Sequence, residues 1–464
     1  MIRSVARPQQ IVGAVVVALG VLATLGITAL SGTKTGVALA LAAVLGPLAA
    51  YAAIVAPLIF PFSFFIVLVP FDSLLALPAF GTLTRLLAIV CGVCIVFWLL
   101  RTRRSISPDR AVWGWLLFGV WCATSMVWAI NPEIAYAHLF TLCQLLLLYT
   151  VMSLVPIERR NLVMILGAVV IGGVFASMYG AYVFRHGIDV GPQDRLFMVS
   201  DNEVTDPNQF AAGLILPIAV AIVGMLRARS KLILFACIGA VLAMGAGLAV
   251  AGSRGAVVAV GLAILYIVLR LRTRLLTAGL GFAALCAALA LDGNVVSRFS
   301  TAAASHGAGR LDIWRIGLVA FRDHFWVGAG FSNFPLAYDN AFINVFETHY
   351  TRWHRAPHNI LLSTGVELGI LGLVIFLIAW YMQFRTLRSI APDNPYYAVR
   401  IAVEGALIGL FVAGLFLDIM MTKYVWLAFM LAMLVRNAAY TPGRIFTCGR
   451  TSYPTAAQRF PISS

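Results

Sequence analysis

Residues 231–270 read KLILFACIGAVLAMGAGLAVAGSRGAVVAVGLAILYIVLR. The segment holds two apolar runs, at 231–250 and 255–270, on either side of the short turn Ser253-Arg254-Gly255. About 20 apolar residues in a helix are enough to cross the ~30 Å hydrocarbon core of a bilayer. The segment therefore predicts two membrane helices that run in opposite directions and meet at an arginine near one membrane face.

The same pattern recurs along the whole chain of 464 residues, of which 61% are hydrophobic and 11% are charged. Soluble domains carry about 25% charged residues, so this composition excludes a secreted disulfide scaffold, a cytosolic nucleotide-binding enzyme and a coiled coil. We predict an all-α polytopic membrane protein in which residues 1–464 form a single integral membrane domain. The apolar runs lie at 11–30, 37–55, 57–78, 84–100, 111–129, 137–155, 162–184, 209–226, 231–250, 255–270, 275–291, 358–383, 401–420 and 424–437.

These runs predict about 14 transmembrane helices, with about 12 as the alternative. The runs at 57–78 and 424–437 are the weakest, because prolines interrupt the first and the second is short for a span.

The distribution of charge predicts the orientation of the chain. The formal net charge is +15, but the basic residues lie between apolar runs, so we expect membrane lipids and no nucleic acid as partners of this charge. With a cytoplasmic N-terminus, the inner segments hold 21 basic and three acidic residues, against 12 and 15 elsewhere. This positive-inside pattern predicts that both termini are cytoplasmic, with 438–464 as a cytoplasmic tail.

The segment 292–357 is predicted to be a large external loop between two membrane helices. Five of the seven histidines lie in it or at its end, at positions 306, 324, 349, 354 and 358. Loops of this length in compact proteins are usually functional or disordered, and the many Trp and Phe residues argue against disorder.

Part of this loop has a helical pattern. Apolar residues recur at steps of three and four from Gly309 to Phe325, which predicts an amphipathic helix on the outer membrane surface or on top of the bundle. A packed loop helix without a substrate role is the alternative. The apolar positions are Leu311, Trp314, Leu318, Phe321 and Phe325.

Arg254 and His358 combine reactive chemistry with a position near the external face. A guanidinium between two apolar helices is costly unless it is paired or lines a wet cavity, although an arginine that reaches lipid headgroups is the alternative. A helical count places His358 on the face of Gly365, Gly369 and Gly372, which points it into the bundle mouth. A neutral imidazole there could take a proton from an incoming hydroxyl, whereas a purely structural histidine is the alternative.

The chain carries no nucleotide-binding signature. Any reaction must therefore use a substrate that is already activated, and in a membrane a lipid-linked pyrophosphate is the obvious one.

Four segments resemble the successive motifs of the O-antigen ligase and O-antigen polymerase superfamily. The resemblance covers roughly 200–380 and lies in both the order and the spacing of the motifs. The segments are Ser253-Arg254-Gly255, Gly309-Arg310-Leu311-Asp312-Ile313-Trp314, Trp326-Val327-Gly328-Ala329-Gly330 with Phe334, and His358-Asn359 through Glu367-Leu368-Gly369 to Gly372.

The resemblance implies an inverting, metal-independent glycosyltransferase of the bacterial inner membrane that needs no cofactor and acts at the periplasmic face. It implies that Arg254 and Arg310 bind the pyrophosphate of an undecaprenyl-linked polysaccharide, and that His358 is the catalytic base. The loop 292–357 is then periplasmic. Further candidate substrate contacts are Arg195, Asn208, Asn359, Arg352 and Arg355.

The acceptor separates three activities within the superfamily. An O-antigen ligase transfers the polysaccharide to a hydroxyl of lipid A-core in lipopolysaccharide biosynthesis, a polymerase passes it to another lipid-linked unit, and a protein O-oligosaccharyltransferase passes it to a protein. The single dominant external loop favours the ligase.

Other chemistries remain as alternatives. A secondary transporter would be expected to show repeats, and we find no motif repeated between the two halves. A retaining route would need a carboxylate nucleophile. The carboxylates available to it are Asp312, Asp339 and Glu347. A zinc site would use histidines, and His349, His354 and His358 are the closest set.

The charge distribution gives a direct test of topology. A reporter fused after residue 105 should read cytoplasmic, and one inserted near residue 300 should read periplasmic, because positive segments stay inside. The readout is the activity of compartment-specific reporters in intact cells. The opposite result would move the predicted site to the wrong side of the membrane.

Overall fold

The computed structural model describes residues 46–47, 49–77, 81–187, 190–191, 195–196, 198–200, 203–271, 310–345, 355–440 and 446–447. The predicted spans 11–30 and 275–291 lie outside these residues, as do Arg352 and most of the predicted tail 438–464. Three of the five loop histidines, at 306, 349 and 354, also lie outside them.

The described residues form helices joined by short turns and four small antiparallel strand pairs. The α-helices are α1 (Ala49–Val55), α2 (Ser63–Leu68), α3 (Leu83–Thr102), α4 (Arg110–Thr124), α5 (Pro132–Ser153), α6 (Arg159–Arg185), α7 (Pro207–Gly213), α8 (Ile215–Leu226), α9 (Lys231–Ala251), α10 (Arg254–Leu271), α11 (Arg310–Asp323), α12 (Phe334–Val345), α13 (Ile360–Arg388), α14 (Tyr397–Gly414) and α15 (Lys423–Tyr440). A π-helical turn covers Leu58–Phe62, and 3-10 turns cover Val69–Leu75 and Ser125–Val127. The strand pairs are β1 (Ala76–Leu77) with β2 (Gly81–Thr82), β3 (Arg104–Ser105) with β8 (Phe446–Thr447), β4 (Val190–Gly191) with β5 (Arg195–Leu196), and β6 (Met198–Ser200) with β7 (Glu203–Thr205).

Eight of the described helical segments are long and apolar enough to cross a membrane: α3, α5, α6, α7 together with α8, α9, α10, α13 and α14. A ninth is added if α1 and the segment Leu58–Asp72, which meet at a bend of 108°, form one broken span. The chain is therefore a helical, multi-pass membrane protein. Helix α4 covers residues 111–124 of the predicted span 111–129, and α15 covers the predicted span 424–437, but neither helix is among the eight. The count of about 14 spans stays a prediction.

Capping residues set the ends of the two helices in segment 231–270. Ser230 accepts a hydrogen bond from the backbone N–H of Ile233 at 3.2 Å and caps α9. Gly252 then takes a left-handed conformation, with φ of 59°, and ends the helix. Ser253 is buried and its hydroxyl accepts from the backbone N–H of Ala256 at 3.4 Å. Arg254 is consequently the first residue of α10.

A cluster of buried aromatic rings joins α4, α5, α13 and α15. Trp115 lies at its centre, and its ring centroid is 4.7 Å from that of Phe429 and 5.4 Å from that of Trp426. Several pairs meet edge to face, an arrangement that adds to the energy of burial. Tyr149 also donates a hydrogen bond to Gln383 at 2.8 Å inside this cluster, so a polar contact fixes the helices in register. The other members are Phe118, Phe376 and Trp380.

Helix α13 is broken in its first third. Gly369 has φ of 69° and ψ of −175°, which is not helical, so the backbone groups around it lose their partners within the helix. The loop 325–330, which follows α11, supplies replacements. Ala329 donates to the carbonyl of Val366 at 2.8 Å, Gly330 to Glu367 at 2.9 Å, and Ile370 to Phe325 at 2.7 Å.

Side chains of α4 and of the α4–α5 turn complete this junction. The indole of Trp121 donates to the carbonyl of Leu368 at 3.0 Å, and the indole of Trp128 donates to Val327 at 3.2 Å. Backbone polar groups near hydrocarbon must be paired, because lipid offers no hydrogen bonds. The break is therefore stabilised by tertiary hydrogen bonds that link α4, α11 and α13.

The predicted amphipathic helix is present as α11, but the predicted apolar stripe is not its buried face. The buried residues are Ile313, Ile316, Gly317 and Ala320, which pack against Phe334 and other residues of α12. Leu311 and Leu318 are 55% and 60% exposed. The helix thus has apolar residues on two sides, because it packs on the bundle and also presents a second apolar surface outward.

Ion pairs with at least one buried partner lie at the opposite end of the bundle. Glu404 is fully buried and pairs with both Arg400 and Arg388 at 2.9 Å. Arg436 of α15 pairs with Asp109 at 3.4 Å. Removing one partner of such a group would leave an uncompensated buried charge, which is strongly destabilising.

The substitution Gly369→Ala should lower the stability of the protein sharply. A Cβ at this position would overlap the carbonyl of Trp326, and the backbone conformation is itself close to glycine-only, so we expect a loss of at least ~1–3 kcal/mol. Thermal denaturation of the purified protein gives the readout. The matched control is Gly261→Ala in α10, where a Cβ meets nothing within 4 Å, and this variant should be as stable as the wild type or slightly more so. A wild-type melting temperature for Gly369→Ala would mean that the break is dispensable.

Candidate functional site

Four helices begin at one site near the end of the bundle: α7, α10, α11 and α13. Arg254 and Arg310 are the first residues of α10 and α11, and His358 lies two residues before α13. The positive end of a helix dipole lies at its N-terminus and attracts anions. The convergence of these helices therefore favours a negatively charged ligand.

The charges of this site act on one another. Burial lowers the pKa of the Arg310 guanidinium, Asp206 raises it, and Arg254 lowers it further. Arginine nonetheless stays protonated in proteins. The mutual influence of Arg254 and Arg310 means that two guanidinium groups share one environment, as expected of a site for a multiply charged anion.

Asp206 is a member of the site that was not among the candidate residues from the sequence, although its neighbour Asn208 was. Its Oδ1 caps α7 by accepting from the backbone N–H of Asn208 at 2.9 Å and from the side-chain amide of Asn208 at 2.8 Å. Asn208, expected as a substrate contact, thus supports Asp206. The Asp-Pro-Asn sequence before an apolar run is a helix-start signal, but only the fold brings this carboxylate close to Arg310.

His358 lies in an unusual backbone conformation, with φ of 46°. The adjacent residues fix it on both sides. The indole of Trp314 donates to the carbonyl of Pro357 at 3.3 Å, and Asn359 Oδ1 caps α13 by accepting from Leu361 at 2.9 Å and Leu362 at 3.0 Å. A strained, well-determined backbone of this kind is typical of functional sites.

The helical count that placed His358 on a face with three glycines was wrong. The histidine precedes the helix, and the break at Gly369 changes the direction of the chain between Gly365 and Gly372. Gly372 instead lies close to the indole of Trp121. The position of His358 at the site is therefore set by the cap of α13 and not by helical periodicity.

The surroundings of His358 keep its imidazole neutral. Burial lowers the pKa of His358 from its ordinary value of 6.5, and the positive charges of Arg310 and Arg355 lower it further, while Asp206 opposes them. A neutral imidazole can accept a proton at neutral pH. The site thus combines a base with a cationic anion-binding group.

Residues 239–377 match the family model of O-antigen ligases. Over this segment, which is less than half of the chain, the protein is similar to the O-antigen ligase superfamily. No curated protein sequence matches the chain at a significant level. The matched segment contains Arg254, Arg310 and His358, so the three residues that the resemblance singled out lie both within the family segment and within one site.

Several of the family-like motifs have a structural role. Trp326–Gly330 and Glu367–Gly369 bond to each other across the break in α13. A Cβ at Gly328 would overlap the carbonyl of Glu367. Each of these two motifs is therefore needed for the contact that it makes with the other. Together they place α13 and His358 beside Arg310.

The remaining predicted contacts are dispersed. Arg195 lies in β5, paired with Gly191 of β4. Arg355 acts on His358 through its charge, whereas Arg352 lies outside the described residues. Among the described residues no group of three or more His, Cys, Asp or Glu side chains could hold a metal. Because three histidines of the loop lie outside that part of the chain, metal independence stays a prediction.

The pKa of His358 provides a test of the site, because two substitutions should shift it in opposite directions. Arg310→Gln should raise it, because a positive neighbour is removed, and Asp206→Asn should lower it, because a negative neighbour is removed. NMR titration of protein with labelled histidine, with the signal assigned from His358→Gln, measures both shifts. Arg322→Gln is the matched control, since this side chain is 85% exposed on the same helix. Shifts of the same sign in the two site variants would show that these charges do not surround His358.

Proposed function

We propose that the protein is an O-antigen ligase of the bacterial inner membrane. It transfers an undecaprenyl-pyrophosphate-linked polysaccharide to a hydroxyl of lipid A-core on the periplasmic face, in lipopolysaccharide biosynthesis. The observation that carries the proposal is the joint placement of Arg254, Arg310 and a neutral His358 where four helices begin. The match of residues 239–377 to the family model supports a lipid-linked polysaccharide as the class of substrate.

Arg254 and Arg310 bind the pyrophosphate of the donor. A guanidinium offers a planar fork of donors that matches two phosphate oxygens at once, which an ammonium cannot do. As the glycosidic bond breaks, negative charge grows on the leaving pyrophosphate, and preorganised cations beside it stabilise the transition state. The N-termini of α10 and α11 add their partial positive charges.

His358 acts as the base in a single displacement. The acceptor hydroxyl oxygen attacks the anomeric carbon, and the bond between that carbon and the pyrophosphate oxygen breaks. Its electron pair stays on the pyrophosphate, and the proton of the hydroxyl goes to the His358 imidazole. One displacement inverts the anomeric configuration and needs no carboxylate nucleophile, in contrast to a retaining route.

The outer surface of α11 suits a substrate that is held in lipid. An apolar groove of about 300 Å³ lies between α11 and α13 and is lined by Trp314, Leu318, Phe321 and Leu362, with Asn359 in its wall. Asn359 follows His358 directly, so the groove begins at the site. Such a groove can hold part of the lipid chain while the pyrophosphate reaches the arginines, since burial of apolar surface is favourable.

The identity of the acceptor distinguishes a ligase from a polymerase and from a protein O-oligosaccharyltransferase. The purified protein should be incubated with a lipid-linked glycan and, in separate reactions, with lipid A-core, a second lipid-linked unit or an acceptor protein. A product on lipid A-core supports the ligase. A product on another lipid-linked unit would identify a polymerase, and one on protein an O-oligosaccharyltransferase. Movement of the glycan lipid across vesicles without any covalent product would support the transporter.

Substitutions at the three residues should affect different steps. His358→Ala should lower kcat by ~10²–10⁴-fold with donor binding nearly intact, because a base acts on the acceptor proton. Arg254→Ala and Arg310→Ala should weaken donor binding and lower kcat/KM by ~10²–10³-fold, because they hold the pyrophosphate in the ground state and in the transition state. Lysine at either position should restore only part of the activity, since it keeps the charge but not the fork.

These measurements use purified protein with an excess of chelator, in which the wild type should stay fully active. Arg322→Ala and His186→Ala, both at exposed positions, are the matched controls and should behave as the wild type. Near wild-type turnover of His358→Ala would make this histidine structural. Loss of activity in chelator, restored by zinc, would replace the base by a metal site.

A further inference from the structure

A cavity of about 510 Å³ shares Asp206 with the basic site. Its walls come from the 3-10 turn Val69–Leu75, from α5, from the start of α7 and from the segment between α14 and α15. The volume lies within the range of pockets for small ligands, about 300–1,000 Å³. Neither Arg254, Arg310 nor His358 lines it. The polar side chains in its walls include Asp72, Asp206, Gln209, Asp418, Thr422 and Lys423.

The lining of this cavity differs in its charged groups from the basic site. Three carboxylates line it, and the one lysine in its lining, Lys423, is already paired with Asp72 at 2.5 Å. Lys423 also donates to the hydroxyl of Thr82 at 3.2 Å. Among the described residues of this lining a phosphate group would find no arginine and only a lysine that is already paired, and it would lie beside the acidic groups of Asp206 and Asp418, whereas the arginines beside the cavity would attract it. The cavity therefore suits a ligand without negative charge.

The lining offers the contacts that a polyhydroxyl ligand uses. Carboxylates accept hydrogen bonds from hydroxyl groups, and such charge-assisted bonds are among the stronger ones. The hydroxyl of Thr422 and the amide of Gln209 add further partners, while the rings of Phe210 and Tyr424 provide flat apolar surface. A sugar ring presents hydroxyl groups at its edge and C–H groups on its faces, so both kinds of surface would be used.

Hydrogen bonds fix the wall near Asp418. Ser363 Oγ donates to Asp418 Oδ2 at 3.0 Å and lies 3.3 Å from Glu367 Oε1. Glu367 Oε2 in turn accepts from the backbone N–H of Ser332 at 2.9 Å. These hydrogen bonds connect the cavity to the break in α13. The position of Asp418 is therefore set by the same junction that places His358.

The cavity and the basic site also differ in their relation to the family. Of the described residues that line the cavity, Ser332 alone lies within the matched segment 239–377. Arg254, Arg310 and His358 all lie within it. The residues that would bind the pyrophosphate thus lie within the segment that matches the family model. The cavity is built almost entirely from residues outside that segment.

We propose that this acidic cavity is a saccharide subsite, in which a neutral sugar ring of the transferred or accepting glycan donates hydroxyl hydrogen bonds to Asp206 and Asp418 beside the pyrophosphate. The inference rests on the proposed function and adds that two adjacent sites recognise different parts of the substrate. The basic site selects the phosphate, and the acidic cavity selects an uncharged sugar and disfavours a uronic acid or a phosphorylated sugar.

Filling the cavity tests this inference without touching the arginines. Gly213 lines the cavity, and a Cβ added there would come no closer than 3.6 Å, to the ring of Tyr424. Gly213→Met therefore places a flexible side chain in the cavity with little backbone strain. The matched control is Gly239→Met in α9, where a Cβ meets nothing within 4 Å. Asp418→Ala is a second variant, which removes two acceptors and enlarges the cavity.

The experiment measures saccharide binding by saturation-transfer NMR with the full-length protein in nanodiscs. One probe is the donor glycan released from its lipid and pyrophosphate, and the other is core oligosaccharide freed of lipid A and phosphate. Wild type and Gly239→Met should bind one of the two probes, which identifies the source of the sugar. Gly213→Met and Asp418→Ala should bind it at least about tenfold more weakly, while binding of undecaprenyl pyrophosphate changes by less than about twofold.

Binding of a free glycan does not require transfer, so the subsite and the proposed function can fail separately. Glycan binding that the variants weaken, together with no transfer to any acceptor, would retain the subsite and reject the ligase. Absence of glycan binding by the wild type would overturn the subsite. Unchanged glycan binding in a folded variant, either Gly213→Met or Asp418→Ala, would overturn it as well. Equal losses of glycan and undecaprenyl pyrophosphate binding would show that the cavity is not a separate site.

Discussion

The backbone of α13 leaves its helical path at Gly369, and the groups that this frees bond to the loop 325–330. In hydrocarbon such groups cannot bond to water instead, so each must find a hydrogen-bond partner at this junction for the fold to be stable. The same loop accepts a hydrogen bond from the backbone of Ile130 at 3.0 Å, and Asn333 pairs with the backbone N–H of Asn131 at 2.7 Å. The adjoining ends of α4, α5, α11, α12 and α13 are consequently held as one unit, and the start of α13 is placed beside Arg310.

This arrangement separates two electrostatic environments. Helix N-termini and the guanidinium groups of Arg254 and Arg310 create a positive site in which the pKa of His358 is lowered and its imidazole stays neutral. The carboxylates of Asp206 and Asp418 line the adjacent cavity. Asp206 belongs to both environments, since it lines the cavity and its negative charge partly offsets the positive charge of the arginines. A substrate with a charged leaving group and an uncharged glycan fits such a division, because each part meets its complement.

The family-like motifs fall into two groups once their contacts are known. Arg254, Arg310 and His358 meet in the site, whereas Trp326–Gly330 and Glu367–Gly369 hold the broken helix and Asn359 caps α13. Loss of function on mutation of the second group would therefore reflect misplacement of His358 and not loss of a chemical group. Measurements of stability distinguish the two groups, since the first should affect transfer and the second should affect folding.

The amino-acid sequence by itself determined the membrane class, the amphipathic helix and the limits of individual spans, because apolar length and helix caps are local properties of the chain. The runs at 231–250 and 255–270 correspond to Lys231–Ala251 and Arg254–Leu271, and the motifs identified Arg254, Arg310 and His358. The tertiary structure decided which face of α11 is buried, that α13 breaks at Gly369, and that Asp206 and Asp418 line a common cavity. These features depend on contacts between residues far apart in the chain, and neither periodicity nor composition records which distant groups will satisfy a backbone break or oppose a charge.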